Sequence, residues 1–271
     1  MRQGGDLRCL PEQLRPKYSS RTTIKMFKIY VIFHKFLVPE CYETLSGEDI
    51  SEHVRFIEVN AAIPKEIPAA LADLAPYIIQ ERELTWYNPF LQHNRFCESS
   101  AFFHVWKNPH LMENYTGFIH YDMLLKKEAI EFLKTEIAAA TAPLVFTQMT
   151  LDARPHLTQI IGIQGWEFFV HLYNIVFQTT HTLQMILDKE IPLYHSFVLH
   201  ISIFDRMMYF AEKAIPHMFE MIHFNTKHMP FMLERLHAVF LALDALEGTK
   251  WIPLPGVIHQ DRLKDDWRGA L

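Results

Sequence analysis

The sequence predicts an α/β fold, in which a mixed sheet is flanked by helices and the C-terminal half is rich in helix. Over residues 24–150, short apolar runs rich in β-branched and aromatic residues alternate with amphipathic segments. From about residue 151 to 260 the pattern changes to long stretches of helical periodicity. No linker rich in Gly, Ser or Pro separates the two halves, so we expect a single domain over residues 24–271.

The composition is that of an ordinary globular protein. The chain has 271 residues, of which 49% are hydrophobic and 21% charged, enough for a substantial core. A net charge of −5 argues against a nucleic-acid-binding protein, which usually presents a basic face. The 3 cysteines are odd in number and show no Cys-x-x-Cys spacing, which argues against a disulfide framework and favours a reducing compartment.

The N-terminal residues 1–23 are polar and basic, without an apolar run of signal-peptide length, and are predicted to form a flexible extension. The apolar stretch 26–38 is interrupted by Lys28, His34 and Lys35. It is also shorter than the roughly 20 residues that a membrane span needs. We therefore expect a cytoplasmic protein without a transmembrane segment.

The first predicted strand covers residues 25–33, a continuous apolar run typical of a buried strand. It ends at His34, which is either a ligand contact at a strand end or a surface histidine. A second strand is predicted at 55–61, followed by a short helix at 69–75.

A helix is predicted at 94–107, where apolar or small side chains recur at helical spacing. Asn94 would be its N-cap, with Arg95 and Glu98 on the first turn. Pro109 would end it.

The next strand, Tyr115–His120, ends abruptly in the polar triplet His120-Tyr121-Asp122. In an α/β sheet, ligands bind where the carboxyl ends of strands meet. His120 and Asp122 could both reach one divalent ion if the backbone turns at Tyr121. Taken alone, the pattern is explained more simply by capping and hydrogen bonding.

The later elements are predicted from periodicity alone. They are a helix at 126–140, a strand at 143–146, a loop at 152–155, a turn at 164–166, and helices at 168–187, 205–222 and 233–246. An aromatic segment at 194–197 separates the first two of the three late helices.

Several short motifs occur in a characteristic order between about residues 24 and 240. They are a strand ending in His34-Lys35, the segment Asn94-Arg-Phe-Cys-Glu98, the helix end Trp106-Lys107-Asn108, the strand Gly117-Phe-Ile-His-Tyr, and Glu234-Arg235-Leu. This order resembles a bacterial and viral branch of GT-A-type glycosyltransferases found in capsular and lipopolysaccharide biosynthesis. That branch usually continues His-Tyr-Arg-Arg, whereas this chain has His-Tyr-Asp-Met. The change removes two arginines and brings Asp122 toward the Asp-x-Asp arrangement of metal-dependent GT-A enzymes.

The resemblance implies a GT-A, Rossmann-like sheet and a nucleotide-sugar donor, by default a UDP-sugar, with a glycan as acceptor. His120 and Asp122 would face the diphosphate and its Mn²⁺ or Mg²⁺. His259 or Asp261 would be a further metal ligand, as in some GT-A families, although a solvated tail explains these residues more simply.

By the same resemblance, the nucleotide pocket would occupy residues 24–150, with His34, Asn94, Arg95 and Glu98 lining it. Arg95 would meet a phosphate, and Glu98 a base or a ribose hydroxyl. A capped helix with an Arg95–Glu98 surface pair is the alternative.

Catalysis with inversion would need a base to take the proton of the acceptor hydroxyl. Glu234 is the first candidate, because it is predicted to open a helix on the acceptor side, and Arg235 beside it would hold the diphosphate. The alternative is that Glu234 only stabilises the first turn of that helix. Asp205 and Asp152 are the reserve candidates. Trp166 and the aromatic segment at 194–197 would line the acceptor site, since sugars stack on aromatic faces, and core packing is the alternative for these residues.

Two other classes of function stay open. One is a catalytically inactive glycosyltransferase-like domain that binds carbohydrate or protein. The other is a carrier of hydrophobic ligands, suggested by the Phe- and Met-rich second half. The polar motifs at strand ends argue against a carrier, which has no need of them.

Overall fold

A seven-stranded β-sheet lies at the centre of the protein, with an apolar core on each face. The computed structural model describes residues 26–187, 189–192, 195–222 and 228–259. The predicted N-terminal extension and Asp261 lie outside these ranges. The strands are β1 (Phe27–Phe33), β2 (Val54–Glu58), β3 (Ile78–Gln80), β4 (Tyr115–His120), β5 (Met123–Leu125), β6 (Leu144–Thr147), β7 (Leu151–Asp152), β8 (Glu190–Ile191), β9 (Phe197–His200), β10 (Lys250–Pro253) and β11 (Val257–His259).

The helices pack on both faces of this sheet. They are α1 (Gly47–His53), α2 (Pro89–His93), α3 (Glu98–Lys107), α4 (Lys127–Ala139), α5 (Gly162–Phe177), α6 (Gln184–Leu187), α7 (Ile201–Ile222) and α8 (Met229–Leu246). Helices α3, α5, α7 and α8 share one apolar core, and α1 and α4 share the other. Among the described helices, none has the length and apolarity that crossing a membrane would require.

The strand order is β10-β6-β9-β4-β1-β2-β3. Strand β9 runs antiparallel to both of its neighbours, and the other strands run parallel to one another. From β1 the chain first builds β2 and β3 on one side and then places β4 on the other side. The strand order therefore reverses between β1 and β4, and such a switch point opens a ligand crevice at the carboxyl ends of the strands.

Strand β1 shows why the central strands are readable from the sequence. Successive side chains of a strand point to opposite faces. Tyr30 and Ile32 enter the core of α3, α5, α7 and α8, whereas Ile29 and Val31 enter the core of α1 and α4. Because both faces are covered, the strand is a continuous apolar run.

The predicted strands 25–33, Tyr115–His120 and 143–146 and the helix 126–140 are confirmed to within a few residues. The helix predicted at 94–107 is wrong at its start. Asn94 is the C-cap of α2, and α3 begins at Glu98. The residues between them form a tight turn in which Arg95 and Cys97 have positive φ angles of 57° and 48°.

Three predictions in the second half also need correction. The turn predicted at 164–166 lies inside α5, because Gly165 serves close packing there. A Cβ atom at this position would lie 2.6 Å from the Cβ of Ile161. The helix predicted at 168–187 ends at Phe177, where Gln178 adopts a left-handed conformation. Strand β9 was not predicted; it begins at Phe197, the last residue of the aromatic segment, whose first residue lies outside the described ranges.

Gly117 allows the central strand β4 to lie close to its neighbours. A Cβ atom at this position would lie 2.7 Å from Cγ2 of Val198 on β9 and 3.4 Å from Cγ1 of Ile29 on β1. We expect Gly117→Ala to lower the free energy of unfolding by about 1–3 kcal/mol, because overpacking a tight core forces side chains or backbone to shift. Urea denaturation measures this loss.

Gly47→Ala is the matched control, because nothing lies within 4 Å of the added Cβ atom. It should change stability by less than about 0.5 kcal/mol. Adding Val198→Ala to Gly117→Ala should recover part of the loss. Equal effects of the two glycine substitutions would contradict the close approach of β4 and β9.

Candidate functional site at the carboxyl edge of the sheet

The two strands at the switch point end in histidines. His34 follows β1, and His120 is the last residue of β4. The Tyr121 amide donates to the Ile32 carbonyl at 3.0 Å, which extends the pairing of β1 and β4 by one residue. The Tyr42 hydroxyl then donates to the Tyr121 carbonyl at 3.0 Å. These two bonds fix the turn that leads from β4 into β5.

The ring of Tyr121 packs against the residues on the His34 side of the site. His34 and Phe36 both pack edge-on against it, with ring centroids 5.2 Å and 5.3 Å away. Burial lowers the pKa of His34, and the nearby Glu98 carboxylate opposes that shift. His34 is therefore neutral at pH 7 and offers a hydrogen bond rather than a positive charge.

Asp122 is brought against a residue from the far end of the chain. Strand β11 pairs antiparallel with β5, so that His259 lies opposite Met123. This pairing places His259 Nε2 3.2 Å from Asp122 Oδ2. The other oxygen, Oδ1, is buried and has no hydrogen-bond partner within the described part of the chain.

Further buried polar atoms lie along the same edge. Gln148 follows β6 and Ser196 precedes β9, and the Gln148 amide donates to the Ser196 carbonyl at 3.2 Å. Among the described residues, no partner reaches Gln148 Oε1, Ser196 Oγ or His120 Nε2. Buried polar groups normally have partners, so such a row indicates a place for water or a polar ligand.

A buried pair of histidines lies next to His120, one of these residues with unsatisfied polar atoms. His195 Nε2 lies 3.0 Å from His237 Nδ1 of α8, and the His195 ring centroid is 6.4 Å from that of His120. Because the Leu233 carbonyl also bonds the His195 ring, His195 donates there and accepts the proton of His237. Burial lowers the pKa of both histidines, that of His237 to about 3.

Helix α8 also supplies Glu234 and Arg235. Glu234 lies in the second turn of α8, so the prediction that it opens the helix is wrong. The Arg235 guanidinium donates to the Phe231 carbonyl at 2.9 Å, lies 3.3 Å from Glu234 Oε2 and reaches Gln159 Oε1 at 3.5 Å. Arg235 is only 5% exposed, and burial lowers its pKa. Its Nε is buried and has no hydrogen-bond partner within the described chain, so one donor of the guanidinium is unsatisfied.

Asn94, Arg95 and Glu98, the three residues predicted to contact the nucleotide near α3, lie in different surroundings because of the turn before this helix. Glu98 is close enough to act electrostatically on His34 and Tyr121, so it belongs to the site. The Asn94 side-chain amide donates to the Phe90 carbonyl at 3.0 Å, and Arg95 is exposed. These two residues flank the site and are not part of a helical turn.

Of the two reserve carboxylates, Asp205 is not brought to this edge. Asp205 lies in the first turns of α7, which follows the end of β9 at the amino edge of the sheet, and its Oδ1 accepts from Trp106 Nε1 at 2.8 Å. The interpretation of Asp205 as a catalytic base is therefore corrected to a structural contact between α3 and α7. Asp152 is half exposed and pairs with Arg154 at 3.6 Å.

The side chains of Asp122 and His259 offer atoms suited to bind a hard divalent cation, whose other coordination positions a bound ligand would fill. Among the described residues, no group of three or more His, Cys, Asp or Glu side chains is arranged to hold a metal. Asp122 and His259 form a pair, and Oδ1 of Asp122 has no hydrogen-bond partner within the described residues. Ions such as Mg²⁺ are typically bound by one or two carboxylates together with substrate phosphates and water. His120 stands beside His195 rather than in the Asp122–His259 pair.

Sequence reasoning missed several residues of this edge. Gln148 follows a strand that was predicted, so the rule that polar residues at strand ends line a site would have found it. His195 and Ser196 belong to the segment at 194–197 that was predicted to line the acceptor site, whereas His237 had no such signal, because it lies within a long apolar helix.

The mixed sheet flanked by helices is similar in fold to a solved glycosyltransferase structure. A structure described as the apo form of the bifunctional glycosyltransferase WbbM superimposes with a TM-score of 0.57 over 84% of this chain, at 14% sequence identity. The chain spans 44% of the length of that protein. The sequence matches no protein-family profile and no curated protein. The likeness therefore lies in the fold.

Proposed function

We propose that the protein is a metal-assisted glycosyltransferase of GT-A type, which moves a sugar from a nucleoside-diphosphate sugar, by default a UDP-sugar, to a glycan acceptor. One observation carries this proposal. Buried polar atoms without partners line the carboxyl edge at the switch point, beside the Asp122–His259 pair, within the described chain. A sugar diphosphate has many oxygens and hydroxyls that would satisfy such atoms.

Asp122 and His259 would hold Mn²⁺ or Mg²⁺. When bound, the ion supplies a Lewis acid that neutralises the charge growing on the diphosphate leaving group. Arg235 would bind a phosphate oxygen through its remaining donor, since charge-assisted hydrogen bonds to phosphate are strong. Both groups would stabilise the leaving group more as the glycosidic bond breaks.

The neutral groups of the edge would orient the donor. His34 and Glu98, at the end of β1 and the start of α3, would contact the nucleotide. His120, Gln148 and Ser196 would bind hydroxyls, which serve as both donors and acceptors.

Glu234 would take the proton of the acceptor hydroxyl. Its side chain is 20% exposed and lies 3.3 Å from Arg235. A partly exposed carboxylate that is held in place by an arginine is suited to act as a general base in an inverting transfer.

A thermal-shift panel of UDP, GDP, CDP and dTDP, each with and without Mn²⁺, tests the proposal. A ligand that binds only the folded state stabilises it by about 2.7 kcal/mol at 100 times its Kd. We expect a metal-dependent rise in Tm with one nucleotide, and UDP is the first candidate. If no nucleotide raises Tm, the protein is a carbohydrate- or protein-binding module on a glycosyltransferase fold, and glycans should then be tested in the same assay.

A further inference from the structure

Glu81 is an enclosed carboxylate that the proposed reaction does not use. It is 1% exposed and directly follows β3, at the same edge of the sheet as the site. Its Oε1 accepts from the Asn60 amide at 3.0 Å. Its Oε2 lies 2.8 Å from Ser100 Oγ and 3.1 Å from His104 Nδ1. A buried carboxylate needs such donors, because an ion without them is strongly disfavoured in the core.

The proton of His104 can be assigned from its neighbours. The Asn88 amide donates to His104 Nε2 at 3.0 Å, so this nitrogen carries a lone pair. The proton is therefore on Nδ1, which donates to Glu81. His104 is neutral, and Glu81 provides the negative charge to which three donors are directed.

The residues of this hydrogen-bond network, in which Asn88 bonds to His104 and not to Glu81 itself, come from three separate segments of the chain. Asn60 leaves β2, Asn88 is the N-cap of α2, and Ser100 and His104 lie in α3. The turn of residues 94–98 is enclosed between α2 and α3. The Glu81 carboxylate thus ties together the segments that surround this turn.

The turn itself has an unfavourable backbone that its surroundings maintain. Arg95 and Cys97 both have positive φ angles, which non-glycine residues rarely adopt. Phe96 between them is fully buried and packs against Phe90 and Phe103 at ring distances of 6.1 Å and 5.7 Å.

Ser100 connects the carboxylate to the turn. Its hydroxyl lies 2.8 Å from Glu81 Oε2 and also 2.8 Å from the Cys97 carbonyl oxygen. One hydroxyl proton is shared between these two acceptors, so a change at Glu81 alters the bond that holds Cys97.

We propose that Glu81 is a positioning residue, which holds the turn 94–98 in its strained conformation and thereby presents Glu98 to the His34 end of the site. Glu81 touches no ligand in this arrangement. Its effect on nucleotide binding rests on the proposed function, whereas its effect on the turn does not.

The test uses Glu81→Gln, which keeps the side-chain shape and removes the charge. Glu83→Gln is the matched control, because Glu83 lies two residues further along the same turn and is exposed. Cys97, partly exposed, reports on the turn through its rate of thiol labelling, and the buried Cys41 reports on global unfolding. All variants carry Cys9→Ser, so that these two thiols are the ones labelled.

We expect Glu81→Gln to raise the labelling rate of Cys97 about 10-fold without raising that of Cys41, and to weaken nucleotide binding by a similar factor. Ser100→Ala, which removes the connecting hydroxyl, should raise the Cys97 rate in the same way and serves if Glu81→Gln does not fold. Glu83→Gln should match the wild type in both measurements.

The proposal is overturned if Cys97 labelling is unchanged in the Glu81 and Ser100 variants, or rises only together with Cys41. It is also overturned if the turn opens while nucleotide affinity stays the same. If the wild type binds no nucleotide, the proposed function fails, and the Cys97 rate still decides whether Glu81 positions the turn.

Discussion

Replacing Asp122 by asparagine is expected to weaken metal-dependent nucleotide binding on the order of 100-fold, or ~2.7 kcal/mol. Asparagine keeps the size of the side chain but removes the charge that a hard divalent cation requires. The apo protein should melt within a few degrees of the wild type, because asparagine fills the same space and its amide can still hydrogen-bond His259. Isothermal titration calorimetry with the nucleotide that raises Tm in the thermal-shift panel, with and without Mn²⁺, measures the loss of affinity.

Asp73→Asn is the control for this experiment, because it removes an exposed carboxylate in the segment 69–77, which precedes β3 and contributes nothing to the candidate site. It should leave both affinity and metal dependence unchanged. Unaltered metal dependence in Asp122→Asn would show that Asp122 is not a ligand. If Asp122→Asn unfolds the apo protein, Asp122 is structural.

The second large effect concerns acid stability and the buried His237. Its pKa in the folded protein is lowered to about 3 by burial, whereas a histidine in an unfolded chain has a pKa near 6.5. Below about pH 6.5 the unfolded chain therefore takes up a proton that the folded protein does not. The stability that the neutral His237 contributes is complete above this pH and is lost as the pH falls toward 3.

The difference between the pKa of His237 in the folded and in the unfolded protein sets the size of this loss of stability. At pH 5, His237 should lower the free energy of unfolding by about 2 kcal/mol relative to neutral pH. His195 acts in the same direction, because its pKa is also lowered by burial. Urea denaturation at pH 7.5, 6 and 5 measures the sum of such effects.

His237→Gln isolates the contribution of one histidine, since glutamine does not titrate and its amide can still donate to His195. We expect this variant to lose stability at pH 7.5 but to show a pH slope that is smaller by about 1.4 kcal/mol per pH unit below pH 6. His171→Gln, at an exposed position of α5, should keep the wild-type slope. Equal slopes for wild type and His237→Gln would mean that His237 titrates normally in the folded protein.

The helix start predicted at Asn94 shows where local reasoning fails. Asn is a good N-cap residue, and the apolar spacing after it is helical. Phe96 is instead buried in the core, the residues on either side of it, Arg95 and Cys97, have positive φ angles, and α3 begins only at Glu98. A conformation imposed by contacts with other helices leaves no trace in the residues that adopt it.

By itself, the sequence determined the central strands β1 and β4 and the polar residues His34, His120 and Asp122 that follow their apolar runs. These features are local, because a strand buried on both faces must be apolar along its length and must end where polar residues begin. Only the tertiary structure decided that β9 inserts antiparallel beside β4, that β11 carries His259 to Asp122, and that Glu81 anchors the turn before α3. Each of these depends on contacts between segments far apart in the chain, and the pairing of distant segments is selected by the packing of the whole core rather than by any short pattern.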